Sequence, residues 1–336
     1  MKRLIYLVLV LEGCAYGLRR ADTADTGEEG PKPLDCSTVS FFGEQPDFDD
    51  TGTLVGRIAS PSGAVPIAGA EVKVTVGTET AWAMSGAEGC FHMELPKGSH
   101  QLMVEKSRYR GAELFNIREG DVTDVGTVEL DAEGAAIAVV YGKYDDVGAL
   151  IGQLGIGFDG IVSAHDLYDD PIKMAEYEVI FANCGSDVTT DHGDAYQPDQ
   201  IANLRDWIHR GGTFYASDLE HVLFDGAAPE AVTFAEDPLY GPVSTLSATV
   251  LDREVATLLG KDIAEITFNL NNWAIIEAAG EALPIIESKI PGASGTKPLA
   301  VLHQAGEGRM IYTSFHNEAQ ITSDMQTILY EVIMSL

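Results

Sequence analysis

The sequence is short of basic residues, of cysteines and of long apolar runs, and each shortage argues against a class of protein. Only 21 lysines and arginines stand against 52 aspartates and glutamates, which gives a formal net charge of -31. A polyanion would be repelled at every approach, and no cluster of basic residues offers a local exception. We therefore expect no nucleic-acid partner, and the acidity is typical of a solvated surface in a salty or extracellular setting.

The few cysteines form neither a CxxC pair nor a Cys/His spacing that would indicate structural zinc. If Cys14 is modified, Cys36, Cys90 and Cys184 remain, so at least one thiol stays free or pairs between chains. A disulfide between Cys36 and Cys90 is the first pairing to test, because it would pin the N-terminal segment to the first domain. The sequence alone leaves the pairing open.

The apolar run of residues 4–11 is too short to span a bilayer. It follows two basic residues, and residues 1–14 have the layout of an export signal. The last four, Leu-Glu-Gly-Cys14, resemble the bacterial lipobox, in which the cysteine is diacylated and becomes the mature N-terminus. Residues 15–50 are polar and acidic, which is typical of a tether. We expect an exported protein held at the membrane by lipid on Cys14; an ordinary secretory signal or a buried first strand is the alternative.

Residues 51–131 contain short β-rich runs separated by glycine and proline turns at intervals of roughly ten residues. With no helical period between the runs, this pattern predicts an antiparallel β-sandwich. Four segments, Gly56–Ile58, Pro66–Val72, Gly86–Phe91 and Leu95–Gly98, resemble the carboxypeptidase regulatory-like, transthyretin-related domain. The resemblance implies a module without chemistry of its own, which acts as a spacer or contacts carbohydrate or protein.

In residues 135–336 continuous apolar runs alternate with segments of helical spacing, which predicts a parallel, doubly wound sheet. Ligands of such sheets bind beyond the carboxyl ends of the strands. Polar residues follow the predicted strands in turn: Asp145 and Asp146, His165 and Asp166, Cys184 to Asp187, Ser217 to His221, and finally His316 and Glu318. We therefore expect these side chains to gather along one edge of the sheet.

Three motifs of the same region resemble the class I glutamine amidotransferase-like superfamily. They are YEVIFANCG at residues 177–185, LRDWIHRGGTFYASD at residues 204–218 and SFHNE at residues 314–318. The resemblance implies a flavodoxin-like fold for residues 135–336. The fold class expected for the whole chain is therefore mixed, an N-terminal antiparallel β-sandwich followed by a C-terminal α/β domain.

In active members of this superfamily, a cysteine occupies the sharp turn after the strand that here ends at Ser217 and Asp218, and a His-x-Glu pair follows a late strand. His316 and Glu318 match that pair. The nucleophile does not match, and Cys184 lies one strand earlier, where the family usually has a glycine-rich loop. Amidotransfer by a thiol is therefore not expected.

Several kinds of chemistry stay open at this edge. A thiol enzyme would pair Cys184 with His316 as its base. A serine hydrolase would use Ser217, activated by His316 and oriented by Glu318. A divalent-metal or polar-ligand site would draw on the carboxylates and imidazoles of the loop ends: Asp218, Glu220, His221, His316 and Glu318. A hydrogen-bonded network that only caps the strands is the alternative to any ligand.

The leading hypothesis is a lipid-anchored cell-envelope protein whose degenerate amidotransferase-like domain binds a glycan, an envelope protein or another ligand without thiol chemistry. The alternative is a hydrolase of an amide, ester or glycoside that uses His316 and Glu318 with Ser217, Cys184 or a divalent metal.

Overall fold

In a computed structural model of the chain, the described residues are 36, 43–131, 136–190, 196–236, 240–316 and 321–335. They belong to one compact unit that begins at Cys36. The expected export signal, the lipidation site Cys14, most of the expected tether and the predicted site residue Glu318 lie outside the described residues.

The N-terminal part is a β-sandwich. Its strands are β1 Gly43–Glu44, β2 Thr51–Ala59, β3 Glu71–Val76, β4 Glu79–Met84, β5 Cys90–Pro96, β6 Gly98–Lys106, β7 Tyr109–Ile117 and β8 Val122–Glu129. One sheet has the order β1-β4-β3-β6-β7 and the other β5-β2-β8. The predicted antiparallel pairing holds throughout except between β2 and β8, which run parallel. Alternate side chains such as Val72 and Val74 are fully buried, because successive residues of a strand point to opposite faces.

The remaining strands follow from residue 137 onwards. They are β9 Ile137–Val140, β10 Asp159–Ile161, β11 Val179–Ala182, β12 Thr213–Ser217, β13 Thr233–Phe234, β14 Tyr240–Gly241, β15 Ser244–Val250, β16 Ile263–Phe268, β17 Trp273–Ala274, β18 Ile276–Ala278, β19 Leu283–Ser288, β20 Lys297–Ala305 and β21 Gly308–Thr313. The helices are α1 Val147–Leu154, α2 Ala164–Tyr168, α3 Pro171–Met174, α4 Asp187–Thr190, α5 Pro198–His209, α6 His221–Ala227, α7 Arg253–Leu259 and α8 Ser323–Ser335. Within the described ranges, none of the helices has the length and apolar content needed to cross a membrane.

The main sheet of this part has the order β10-β9-β11-β12-β21-β20-β19-β15-β16. The strands from β10 to β21 pair in parallel, as the sequence predicts. Every residue of β9, β11 and β12 is buried, because helices cover both faces of a parallel sheet. The strands from β20 to β16 add an antiparallel half, which begins with the hairpin of β20 and β21.

The sandwich and the α/β part are joined by polar contacts, of which the pair of Lys106 and Glu331 is buried. Lys106, at the end of β6, donates hydrogen bonds to Glu331 of α8 at 2.6 Å and to Glu254 of α7 at 3.0 Å. Lys106 and Glu331 are only 5% and 6% exposed. Between β2 and β3, the backbone N–H of Ser62 donates to the carbonyl of Leu154 at the end of α1. These contacts hold the two parts in one unit.

A disulfide joins Cys36 to Cys90 in β5, which is the pairing that the sequence placed first. It ties the segment before the sandwich to an edge strand of the three-stranded sheet. In the described part of the chain, Cys184 is a free and buried cysteine.

Candidate functional site

Three side chains from three different loops meet at the carboxyl edge of the parallel strands. Cys184 follows β11, Asp218 follows β12 and His316 follows β21, and these strands are neighbours in the sheet. One ligand atom from each residue lies within 4.8 Å of the others. All three side chains are buried. The expectation that distant loops gather along one edge is right for these residues.

Asp218 occupies a sharp turn between β12 and α6. Its φ of 45° lies in the left-handed region, which disfavours residues other than glycine by roughly 1–2 kcal/mol. Hydrogen bonds from other segments help to hold it there: Oδ1 accepts from the backbone N–H of Ala274 at 2.8 Å, and the carbonyl accepts from the Tyr312 hydroxyl at 2.9 Å. The other carboxylate oxygen, Oδ2, lies 3.7 Å from the Sγ of Cys184 and 4.0 Å from the Nε2 of His316.

Burial controls the protonation of this group. It raises the pKa of Asp218 from 3.8 to about 6, although His316 and the N–H of Ala274 favour the charged form. Burial also raises the pKa of the Cys184 thiol, and the neighbouring carboxylate of Asp218 raises it further. A nucleophilic cysteine needs the opposite environment, a partly exposed and electropositive one. Both effects disfavour the thiolate form of Cys184.

Ser217 has a supporting role. Its fully buried hydroxyl donates to the carboxylate of Asp145 and accepts from the backbone N–H of Cys184 at 2.9 Å. The hydroxyl proton is thus directed at Asp145. A serine nucleophile would instead have to donate it to His316. The contact instead fixes the loop that carries Cys184.

Glu220 and His221 do not join the three-residue cluster. The buried carboxylate of Glu220 accepts hydrogen bonds from the Ser186 N–H at 3.0 Å and from the Tyr196 hydroxyl at 2.8 Å. The ring of His221 packs against Phe234, with the ring centroids 5.2 Å apart. The cluster in the structure therefore differs from the predicted metal ligands: it contains Cys184 and omits Glu220. The predicted ligand Glu318 lies outside the described residues.

Other polar residues predicted at this edge cap helices or support them. Asp146 caps α1 by accepting from the N–H of Ala149 at 3.0 Å, and Asp187 accepts from the N–H of Ala164 at the start of α2. His165 contacts Gln200 of α5 at 2.7 Å. For these residues, the structure shows the alternative named above, hydrogen bonding that supports secondary structure without a ligand.

A glycine allows the loops after β9 and β11 to touch. A Cβ atom on Gly142 would lie 2.2 Å from the carbonyl oxygen of Cys184, well inside van der Waals contact. The same oxygen accepts from the backbone N–H of Tyr144 at 3.1 Å. Sequence reasoning missed Gly142, because the glycine after a buried strand reads as an ordinary turn.

A small pocket lies over the cluster. Besides the cluster it is lined by Tyr144, Phe268, Asn269, Asn272 and Trp273, and its volume is about 20 Å³, enough for one water molecule or a small ion. The indole of Trp273 stacks on Phe268 at 3.8 Å and donates to a backbone carbonyl at 3.0 Å. The segment between β16 and β17 thus closes the site, and no sequence motif pointed to it.

Solved structures resemble the chain only weakly. A cytoplasmic protein of Salmonella typhimurium shares 12% identity over 60% of this chain and 98% of its own, with a TM-score of 0.40. A β-galactosidase of Bacillus circulans sp. alkalophilus shares 15% identity over 60% of this chain, with a TM-score of 0.39. An exo-β-1,4-mannosidase of Opitutaceae bacterium strain TAV5 shares 15% over 61%, also at 0.39. The matched region spans 30% and 36% of the two glycosidase chains, and similarity at this level assigns no function.

No curated protein sequence matches the chain significantly. The family model of the carboxypeptidase regulatory-like domain matches residues 53–131, which are strands β2 to β8 of the sandwich and the residues between and after them. Residues 53–131 are therefore a carboxypeptidase regulatory-like domain.

Proposed function

We propose that the protein is an exported, cell-envelope binding protein whose residues 135–336 form a flavodoxin-like, class I amidotransferase-like domain without thiol chemistry. The observation that carries the proposal is Asp218 at the sharp turn between β12 and α6. Active members of the superfamily place their nucleophilic cysteine at the corresponding turn. The strand, the strained turn and the helix are all present in this chain, but the residue at the turn is an aspartate.

The rest of the site supports binding over amidotransfer. Cys184, the thiol nearest to this turn in the described ranges, is buried, and its pKa is raised by that burial. The pocket beside it has a volume of about 20 Å³, whereas sites for small organic ligands span roughly 300–1,000 Å³. As bounded by the described residues, the pocket is too small to enclose a glutamine substrate. The ligand of the intact protein, a glycan or an envelope protein in this proposal, is then bound on its surface.

The disulfide supports export. A Cys36–Cys90 bond in a domain of this size is typical of oxidising compartments, because cytosolic thiols are kept reduced. In this proposal residues 1–14 are the export signal, Cys14 carries the lipid and residues 15–50 form the tether. The acidic net charge keeps the anchored protein soluble above the membrane.

A metal-dependent hydrolase is the second candidate function. The favourable observation is that Cys184, Asp218 and His316 offer a sulfur, an oxygen and a nitrogen within 4.8 Å of one another. A hydrolase based on Ser217 has no such support, because its hydroxyl is bonded to Asp145.

The thiol of Cys184 is expected to react slowly in the folded protein. In a Cys14→Ser variant with the Cys36–Cys90 disulfide intact, Cys184 is the single free thiol. Iodoacetamide should alkylate it at least about a hundredfold more slowly in metal-free native protein than in urea, because burial disfavours the thiolate. The native protein should also release no ammonia from glutamine. Rapid native alkylation or measurable glutaminase activity would contradict the proposed loss of thiol chemistry.

The anchoring proposal is tested by Cys14→Ser expressed as the full chain. The wild type is expected in the membrane fraction and to incorporate labelled palmitate, while Cys14→Ser should lose both properties. Cys184→Ser is the matched control, since a buried cysteine of the α/β part takes no lipid. Equal membrane fractionation of Cys14→Ser and wild type would refute lipidation at Cys14.

A further inference from the structure

We propose that Cys184, Asp218 and His316 together bind one Zn²⁺ ion, with a fourth coordination position open to the small pocket above them. This inference assigns a metal ion to the buried cluster, separate from the surface-bound ligand of the proposed function, and rests on the proposal that the site does not use Cys184 as a nucleophile. It replaces the ligand set expected from sequence by one that contains sulfur.

The ligand types point to zinc among the biological cations. Zinc accepts cysteine sulfur, histidine nitrogen and carboxylate oxygen, whereas Ca²⁺ and Mg²⁺ bind oxygen ligands and avoid sulfur. Three protein ligands with an open fourth position form the arrangement of zinc sites that hold a water or a substrate. The pocket volume of about 20 Å³ accommodates one water at that position.

The distances are close to those of a coordinated set. Tetrahedral zinc with bonds of about 2.0–2.3 Å holds its ligand atoms about 3.3–3.6 Å apart. The Cys184 Sγ to Asp218 Oδ2 distance is 3.7 Å, and the His316 Nε2 to Asp218 Oδ2 distance is 4.0 Å. All three ligand atoms lie within 4.8 Å of one another. Contractions of a few tenths of an ångström to at most about 1.5 Å would complete the geometry, which side-chain rotations supply.

Hydrogen bonds already orient two of the ligands. The Oδ1 of Asp218 accepts a hydrogen bond from the N–H of Ala274, which leaves Oδ2 facing the sulfur and the imidazole. The backbone N–H of Cys184 is bonded to Ser217, whose hydroxyl is in turn bonded to Asp145. Such outer contacts are what metal sites use to hold their ligands in position.

The charge of the set also matches a dication. A coordinated thiolate and a carboxylate carry two negative charges, and neutral imidazole carries none, so Zn²⁺ makes the buried cluster neutral. Burying an uncompensated carboxylate is costly, and in this site Asp218 is only 5% exposed. Coordination therefore explains why a sulfur, a carboxylate and an imidazole are buried together.

The test uses the full chain, stripped of metal with a chelator and titrated with Co²⁺ as a spectroscopic substitute for zinc. One equivalent of Co²⁺ is expected to produce a thiolate-to-cobalt charge-transfer band and tetrahedral d–d bands, and Zn²⁺ should abolish both by displacement. Cys184→Ser should lose the charge-transfer band. Asp218→Asn and His316→Ala should weaken Zn²⁺ binding at least about a hundredfold, since losing even an outer-shell contact costs about 10–100-fold.

Matched controls are His209→Ala and Asp166→Asn, which remove an exposed histidine and an exposed aspartate. Both should bind one Zn²⁺ with wild-type affinity, which separates the site from weak binding to the acidic surface. Folding of each variant is checked by near-ultraviolet circular dichroism. If a ligand variant does not fold, the wild type still tests the proposal, because folded wild type without a sulfur-to-cobalt band overturns it. A folded His316→Ala variant with unchanged Zn²⁺ affinity also overturns it. Neither result would alter the alkylation and glutaminase results, which are measured on metal-free protein.

Discussion

Replacing Lys106 by methionine is expected to lower the free energy of unfolding by about 3–5 kcal/mol at about pH 8. The ammonium of Lys106 pairs with Glu331 inside the protein, where both side chains are about one-twentieth exposed. Methionine retains most of the apolar stem but leaves the carboxylate of Glu331 without its cation. Breaking a buried ion pair by removing one partner is costly because the remaining charge stays buried.

Urea denaturation of the full chain measures this effect. The double variant Lys106→Met with Glu331→Leu should recover most of the lost stability, since two packed apolar side chains replace a buried ion pair with little penalty. Lys97→Met is the matched control, because Lys97 pairs with Asp50 at an exposed site and its loss should leave stability nearly unchanged. A Lys106→Met protein as stable as wild type would show that the pair does not hold the sandwich to α8.

Much of the α/β part could be predicted from the sequence, because local sequence patterns identify its parallel strands. Continuous apolar runs such as β9 and β11 occur where both faces of a strand are covered. The antiparallel half gave a weaker signal, since β15 alternates buried and exposed residues instead of forming a continuous apolar run. Lys106 reads locally as an exposed lysine; its burial arises from contact with α7 and α8, more than 140 residues away in the sequence.

The sequence predicted where the candidate site lies but not which residues form it. Because ligands bind beyond the carboxyl ends of the strands, we could predict that Asp218 and His316 lie at one edge of the sheet. It could not tell which side chains of a turn face the edge. Asp218 and Glu220 are two residues apart in one short 3₁₀ turn, yet the first faces Cys184 and the second faces Tyr196. Such directions are set by tertiary hydrogen bonds, which residue spacing does not encode.

Titration of Glu331 is expected to lower the stability of the protein as pH rises from about 4.5 to about 7, and Glu331→Gln should remove this contribution. Burial raises the pKa of Glu331 from 4.5 to about 7, although Lys106 favours the charged form. Between these two values the folded protein holds a proton that the unfolded chain has lost. Raising the pH therefore favours unfolding, by up to about 3 kcal/mol at 1.36 kcal/mol per pKa unit.

Lys106 stays charged through this window. Its burial opposes the charge, but the carboxylates of Glu331 and Glu254 outweigh that effect and raise the pKa of Lys106 above 10.5. Removing this cation raises the pKa of Glu331 further. The free energy of unfolding of Lys106→Met should therefore continue to fall above pH 7. The destabilisation by Lys106→Met should consequently be larger at about pH 8 than at about pH 5, where Glu331 is protonated with or without the lysine.

Urea unfolding of wild type, Glu331→Gln and Lys106→Met at about pH 5, 6, 7 and 8 measures these differences directly. Glu254→Gln is the comparison variant, because Glu254 contacts the same lysine from a side chain that is 59% exposed. Its charge raises the pKa of Glu331 less than burial does, so its loss should reduce the fall only in part. The stability gap between wild type and Glu331→Gln should shift in favour of the glutamine variant as pH rises. A gap that stays constant across the series would mean that Glu331 titrates in the folded protein as it does in the unfolded chain, and that its burial is relieved by a contact other than Lys106.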